Sequence, residues 1–303
     1  VSPAIQSWTV TRRLIEEQAI DGMRLGRHVH HDSRSRAYPW RRSGGPLASE
    51  LWPRHIPILD QGSYGSCTGE AEDGCCGCDP LFTALPPGTA LGQAEALALY
   101  SAAEIIDGGS GLPSEDSGSS GLSACQAAKN AGLISGYTHC FSLMDVLDAL
   151  QSTPLIIGVN WYGSMDSPDS SGLVTISPGG SVRGGHEILV RGIDVTAQQI
   201  FLDNSWGTGW GQNGSFIMSW ATLDRLLAEQ GDGTVSIPLS APAPVPVPVP
   251  PVPPPPGPGP VADAADQALW NGISAWARHH HYGSDRHAAE DAIAWARAKG
   301  LSA

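Results

Sequence analysis

The rhythm of hydrophobic and polar positions changes near residue 153. Upstream, from residue 67 onward, apolar residues recur every three or four positions, most clearly along 93–106 (QAEALALYSAAEII). That spacing places one side of a helix against a core. It predicts further helices starting at Cys67, over 122–131 and over 142–151, with Gly- and Pro-rich breaks at 85–88 and 108–114. Downstream of Thr153-Pro154 the apolar residues gather into short runs. Leu155-Ile156-Ile157-Gly158-Val159, residues 187–193, Ile200-Phe201-Leu202 and residues 215–218 read as strands. An α+β chain, with a helical lobe followed by a β lobe, is the fold class this pattern implies.

The flanks divide the chain further. Residues 1–55 are polar and form an N-terminal strap, and the central domain covers 56–238. Residues 239–260 are a Pro-rich linker, and 261–303 form a helical docking or oligomerisation module. Alternating Val-Pro favours polyproline II, so about twenty such residues extend roughly 60 Å as a semi-rigid spacer. In the tail, Leu269, Trp270, Ile273 and Trp276 share one side of a helix over 262–278, and Ile293 and Trp295 mark a second over 285–299. Some 43 residues without a staple make a marginal core. The tail is therefore expected to finish its core on a protein partner or on a second copy.

The chemistry-bearing residues cluster in three places: Gln61-Gly62-Ser63-Tyr64-Gly65-Ser66-Cys67, Gly185-His186, and Asn204-Ser205-Trp206-Gly207. A cysteine becomes a strong nucleophile as its thiolate, which an imidazole and a helix N-terminus both favour. Cys67 follows a Gly-Ser turn and precedes a run with acidic residues in its first turn, as helix starts do. His186 would take the proton and return it to a leaving amine. Asn204 would accept from the other ring N–H and fix the ring's orientation. Gln61 would aim its amide at a developing oxyanion, with the Cys67 backbone N–H as second donor.

These motifs, with Asn204-Ser205-Trp206-Gly207-Thr208-Gly209-Trp210-Gly211-Gln212-Asn213-Gly214, resemble the papain family of cysteine peptidases over about residues 20–238. The likeness is to the bacterial and phage branch, where Thr-x-x-Ala follows the cysteine. The resemblance implies a papain-like two-lobe fold, a helical lobe facing an antiparallel β lobe across a cleft. It implies peptide hydrolysis through a thioester, with Cys67, His186, Asn204 and Gln61 catalytic and no cofactor. It also implies that substrate lies against Gly65, Ser66, Ser117, Gly118, Ser119, Gly185, Glu187 and Trp206. Glu187 stands where relatives border the pocket for the second residue before the cut, and a carboxylate there would favour a basic side chain or turn away into solvent. Trp206 and Trp210 would shield the His186–Asn204 bond from water. The 1–55 strap could stand in for the inhibitory propeptide of relatives.

Departures are visible too. Tyr64 and Thr68 replace the upstream cysteine and the following aromatic of plant and lysosomal members. Spacings of 119 residues from Cys67 to His186 and 137 to Asn204 lie around the low end of the family range.

Composition narrows the partners. A net charge of −13 argues against nucleic acid and anionic membranes. No stretch is apolar enough to span a bilayer, and the N-terminus lacks the pattern of a cleavable signal. Only Lys129 and Lys299 are lysines among 17 basic residues, as a high-GC genome, such as an actinobacterium or its phage, produces. The cysteines at 67, 75, 76, 78, 125 and 140 read as thiols rather than as a disulfide framework or a zinc site. His28, His30, His31 and Asp32, and His280, His281 and His287, are read as solvated groups rather than metal ligands. Two other functions stay open: an inert scaffold acting as a structural or virion component, and a cell-wall peptide amidase.

Overall fold

Opposite faces of one antiparallel sheet separate two hydrophobic cores. The computed structural model describes residues 10–14, 17–18, 20 and 22–239, which fall within a unit spanning 1–243. The linker and the C-terminal module expected at 239–303 lie outside the described residues, apart from residue 239.

At the N-terminus β1 (Val10–Leu14) pairs antiparallel with β2 (His28–Asp32). A short β3 (Glu50–Leu51) precedes four helices, α1 (Cys67–Cys76), α2 (Leu81–Ala84), α3 (Gln93–Ile106) and α4 (Gly121–Asn130). There follow β4 (Gly136–Cys140), α5 (Leu143–Ala149), β5 (Leu155–Tyr162), β6 (Val182–Asp194), β7 (Gln199–Asp203), β8 (Ser215–Ser219), α6 (Trp220–Ala228) and β9 (Asp232–Ile237). The main sheet has the order β4-β9-β5-β6-β7-β8, with β3 also paired to β6. Every named pair is antiparallel.

Strand parity explains the two cores. Leu155, Ile157, Val159 and Trp161 of β5 join Val190, Leu202, Phe216 and Met218 in the larger cluster. Ile156 and Leu189 join the helical cluster of Ala71, Cys75, Leu99, Ala103, Ala124 and Ala127 instead. The Leu155-Ile156-Ile157 run is apolar without alternation because both of its faces are covered.

Side chains start three of the six α-helices. Ser120, Ser142 and Ser219 each accept the backbone N–H three residues on, satisfying a donor that a helix leaves free. Ser66 precedes α1 without a side-chain cap, its hydroxyl donating to Glu70 Oε1 at 3.2 Å instead. All ten residues of α1 are buried. That depends on Gly69, where a Cβ would sit 2.2 Å from the Ala96 carbonyl oxygen of α3.

The expected rhythm holds with local shifts. The helix read at 122–131 spans Gly121–Asn130, the one at 142–151 spans Leu143–Ala149, and the strand expected from 187 begins at Val182. Strands β4 (GYTHC) and β9 (DGTVSI) are polar and short, so no periodicity announced them. The strap does not stand apart from the domain, since Leu25 and Val29 are buried in it. Among the described residues no helix is long and apolar enough to cross a membrane.

Candidate active site

Cys67 is the first residue of α1, where the free N–H groups and helix dipole favour negative charge. His186 lies on β6 opposite Val159 of β5, and Asn204 follows the end of β7. Asp203 anchors that corner, accepting from Arg54, Arg191 and the Ser215 hydroxyl at 2.6–3.0 Å. His186 Nε2 bonds Asn204 Oδ1 at 2.7 Å, and Oδ1 also accepts the Ser205 N–H at 2.8 Å. Two donors on one oxygen set the amide's orientation and the imidazole tautomer, leaving Nδ1 with the lone pair. Nδ1 is buried and has no hydrogen-bond partner.

Aromatic rings enclose that bond. Trp206 stacks on the imidazole with centroids 5.0 Å apart and planes inclined by 22°. Trp161 meets the ring edge-on at 5.1 Å. Trp210 packs on Trp206 and Trp161 one layer further out. The sequence reading named Trp206 and Trp210 but missed Trp161. The signal was present: Trp161 extends the alternation of Ile157 and Val159, and Val159 is the residue paired with His186.

Gln61 is buried, its Nε2 donating to the Tyr64 carbonyl at 2.7 Å and its Oε1 accepting the Ser205 hydroxyl at 2.6 Å. One amide N–H is thereby used and one is left.

The strap runs through the site. Gly26 and Arg27 N–H both donate to the Gly185 carbonyl, at 3.2 and 3.0 Å. On the other wall Ser119 donates to the Gly26 carbonyl at 2.9 Å and accepts the His28 N–H at 2.6 Å. The His28 ring donates Nε2–H to the Ser117 carbonyl at 2.7 Å. Trp206 Nε1–H reaches the Arg24 carbonyl at 3.0 Å, and Arg183 holds the Gln18 and Met23 carbonyls. The fit is tight: a Cβ on Gly26 would lie 2.0 Å from the Gly65 carbonyl oxygen, and one on Gly185 would lie 2.4 Å from that of Arg27.

Each residue expected to touch substrate is therefore at or beside the strap. Ser119 supplies both backbone contacts, whereas the Gly118 N–H is held by the Tyr100 hydroxyl and the Gly65 N–H by Asp116. The Ser66 hydroxyl bonds Glu70 Oε1. Glu187 is neither solvated nor empty: its carboxylate lies 3.8 Å from Arg27 Nε, with both side chains buried. His31 is exposed as expected, but His28 and His30 are a correction. They were read as solvated, but His28 is buried against Ser117, and His30 Nδ1 lies 3.2 Å from both Asp107 Oδ1 and Ser120 Oγ. Among the described residues no cluster suits a metal ion, and all six cysteines are free and buried.

Burial sets the charge state. It pushes the Cys67 thiol far above its ordinary value, although the Glu187 backbone N–H bonded to it works the other way. Burial also lowers the His186 ring to about 3; the Asn204 bond favours the charged form, and nearby Arg183 disfavours it. Burial thus disfavours both charged forms, the thiolate and the imidazolium. The physical reason is the loss of water, which penalises both charged forms.

No protein-family model matches this chain, and no curated protein matches it. Solved structures do. Xylellain, a cysteine protease from Xylella fastidiosa, superposes with a TM-score of 0.55 at 16% identity, covering 76% of this chain and 98% of that one. Digestive procathepsin L 3 of the Tenebrio molitor larval midgut gives 0.50 at 18% identity, covering 66% and 73%. Procathepsin B S9 from Trypanosoma congolense gives 0.51 at 14%, covering 71% and 86%. At these identities the likeness establishes a shared fold, that of papain-like cysteine proteases.

Proposed function

We propose that this chain is a papain-like cysteine peptidase, of the bacterial and phage type its motifs resemble, held latent by its own residues 17–32. The observation that carries this reading is the oriented His186–Asn204 pair, whose buried Nδ1 has no hydrogen-bond partner, together with Cys67 as the first residue of α1.

When the strap leaves, water enters and the proton moves from Cys67 Sγ to His186 Nδ1. The thiolate attacks a peptide carbonyl carbon. The oxyanion formed is met by the Cys67 N–H at the start of α1 and by the spare N–H of Gln61. The imidazolium protonates the departing amine as the C–N bond breaks, leaving a thioester on Sγ. His186 then takes a proton from water, hydroxide adds to the thioester, and the acid product leaves as Sγ departs. Asn204 holds the ring through both halves, and Trp206 and Trp161 keep water from the Nε2 bond.

Gly26→Ala is the test, because its new methyl displaces the strap without touching the catalytic groups. In this variant Cys67 is expected to react fast with iodoacetamide at pH 6, casein is expected to be cut, and Cys67→Ala abolishes both. Labelling as slow as that of the other five cysteines, with no turnover, returns the protein to an inert scaffold. Cleavage of peptidoglycan stems but not casein makes it a wall amidase.

Residues 239–260 serve in this reading as a spacer, and 261–303 as the module that docks on a partner or another copy. Ending the chain at residue 239 is expected to leave peptide hydrolysis within twofold and to remove self-association in light scattering.

A further inference from the structure

Three residues before His186 on β6, the buried Arg183 side chain lies against the Trp206 ring, its guanidinium carbon 5.6 Å from the ring centre. The same ring stacks on the His186 imidazole at 5.0 Å. The guanidinium is held from behind. Its Nε lies 3.1 Å from Asp166 Oδ1, which accepts Trp161 Nε1–H at 2.7 Å, and the Asp166 carbonyl accepts Trp210 Nε1–H at 2.7 Å. The two terminal nitrogens are spent on the strap, Nη1 on the Gln18 carbonyl at 3.1 Å and Nη2 on the Met23 carbonyl at 2.7 Å. Burial disfavours the charge on Arg183, while Asp166 and the strap's Glu17 favour it. The strap therefore gives the terminal nitrogens of this cation two oxygens and a nearby negative charge.

We infer that Arg183 anchors the C-terminal carboxylate of the substrate, so that the opened cleft trims peptides from their C-terminal end. The inference rests on the peptidase reading above. A carboxylate carries what the strap supplies, two oxygens and a negative charge, in one planar group that matches the guanidinium fork. A chain without a free end must fold back to bring two carbonyls to the same fork, as the strap does with residues 18 and 23. When the strap withdraws, Glu17 goes with it, and Asp166 stays as the fixed counter-ion behind two freed donors.

Location decides which end of the substrate is held. Followed backwards, the strap bonds Ser119 and Gly185 through residues 26–28, then Trp206 through the Arg24 carbonyl, and then Arg183. Ser119 and Arg183 thus mark opposite ends of the cleft. The amine released on cleavage takes its proton from the His186 ring, so the leaving group sits on the side where Trp206 meets that ring. At about 3.5 Å per residue, one or two residues reach from the imidazole to the guanidinium. The C–N bond before those residues breaks, His186 protonates the new amine, and the acyl part stays on Sγ until water replaces it. The carboxylate keeps its charge throughout, and the product is an amino acid or a dipeptide. A chain that continues past this point puts a neutral amide before Arg183 and loses the ion pair.

Two measurements test this, both on the full chain carrying Gly26→Ala. A pool of synthetic octapeptides with free C-termini, and the same pool amidated, are digested and the products read by mass spectrometry. Loss of one or two C-terminal residues is expected to be at least about 20-fold faster in kcat/KM from the acid pool, the scale of a charge-assisted fork. Arg183→Gln is expected to cut that ratio at least about tenfold while the amidated pool stays within about threefold. Arg183→Lys, which keeps the charge without the fork, is expected to fall between. Were Arg183 only a clamp on the strap, neither variant would move the ratio. Equal rates for the two pools, or a ratio unmoved by Arg183→Gln, overturns the anchor and leaves the peptidase intact. The second measurement needs no catalysis. The dipeptide Ala-Leu, as acid and as amide, is titrated calorimetrically into a chain that also carries Cys67→Ala. The acid is expected to bind at least about tenfold tighter, and Arg183→Gln to remove the difference. That result supports the anchor even if neither pool is turned over. Equal binding of the two forms, or of neither, overturns it.

Discussion

The two cores on opposite faces of the sheet are both buried, but they are built from different material. The sheet side packs Leu155, Ile157, Val159, Trp161, Val190, Leu202, Phe216 and Met218, large apolar side chains on β5 to β8. The helical side packs Ala71, Ala103, Ala124, Ala127, Ala128 and four cysteines, and carries the buried acids Glu70, Glu72 and Asp73 on α1. Small residues let α1 approach α3 closely, and that approach takes the acids out of water. Burial raises their proton affinities, Glu70 to about 8 and Glu72 and Asp73 to about 7. One core is therefore stable by area removed from water, independent of pH. The other is stable to the extent that its carboxyls keep their protons.

The comparison breaks most visibly in the sheet. Phe216→Ala empties a buried ring site and is expected to cost about 3–5 kcal/mol in urea unfolding, with the same loss at pH 6.5 and pH 8. A pH-dependent loss would show that the cores are not separate in this sense.

Next comes Glu72, fully buried and bonded to Ser236 at 2.6 Å and to Cys125 at 3.4 Å. Its folded value is raised, so its stabilising contribution is complete below the unfolded value near 4.5 and is lost as pH rises through about 7. Glu72→Gln is expected to recover roughly 2–3 kcal/mol at pH 8 relative to pH 5, on the scale of a shift this large. An unchanged slope of stability against pH would assign the dependence to other groups.

His186 has the opposite sign. Its folded value near 3 lies below the unfolded 6.5, so its contribution is complete above 6.5 and is lost as pH falls toward 3. Acid should thus favour release of the strap, which lets the ring charge in water. Amide exchange at Arg27 and His28 is expected to report an open fraction about tenfold larger at pH 5 than at pH 6.5. His186→Gln should remove that rise.

The smallest effect is local. Ser219→Ala removes the side-chain cap of α6 and is expected to cost about 1 kcal/mol. A loss several times larger would mean that α6 holds the sheet core in place rather than covering it.

Particular elements show how much was legible beforehand. The helices at 93–106 and from Cys67, and the strand beginning at Leu155, could be read because periodicity and capping are local. Cys67, His186 and Asn204 could be singled out as candidates because a nucleophile, its base and an orienter require definite residue types in definite surroundings, and the structure bonds His186 to Asn204. β9 was not legible, since DGTVSI carries neither apolar alternation nor turn punctuation, and its partners β4 and β5 lie about 70–100 residues upstream. Arg27 gave no signal either. An arginine in a polar segment looks solvated until the chain is folded, and only then does it meet Gly158, Glu187 and Asp232.

By itself, then, the sequence determined the longer helices and strands between residues 67 and 219 and singled out Cys67, His186 and Asn204 as the candidate residues. Both follow from residue type and short-range spacing. Tertiary structure alone decided that Trp161 lies against the imidazole, that the strap runs between Gly185 and Ser119, and that burial disfavours the charged forms of the thiol and the ring. Those properties depend on how much water each group keeps, and desolvation is summed over neighbours drawn from the whole chain.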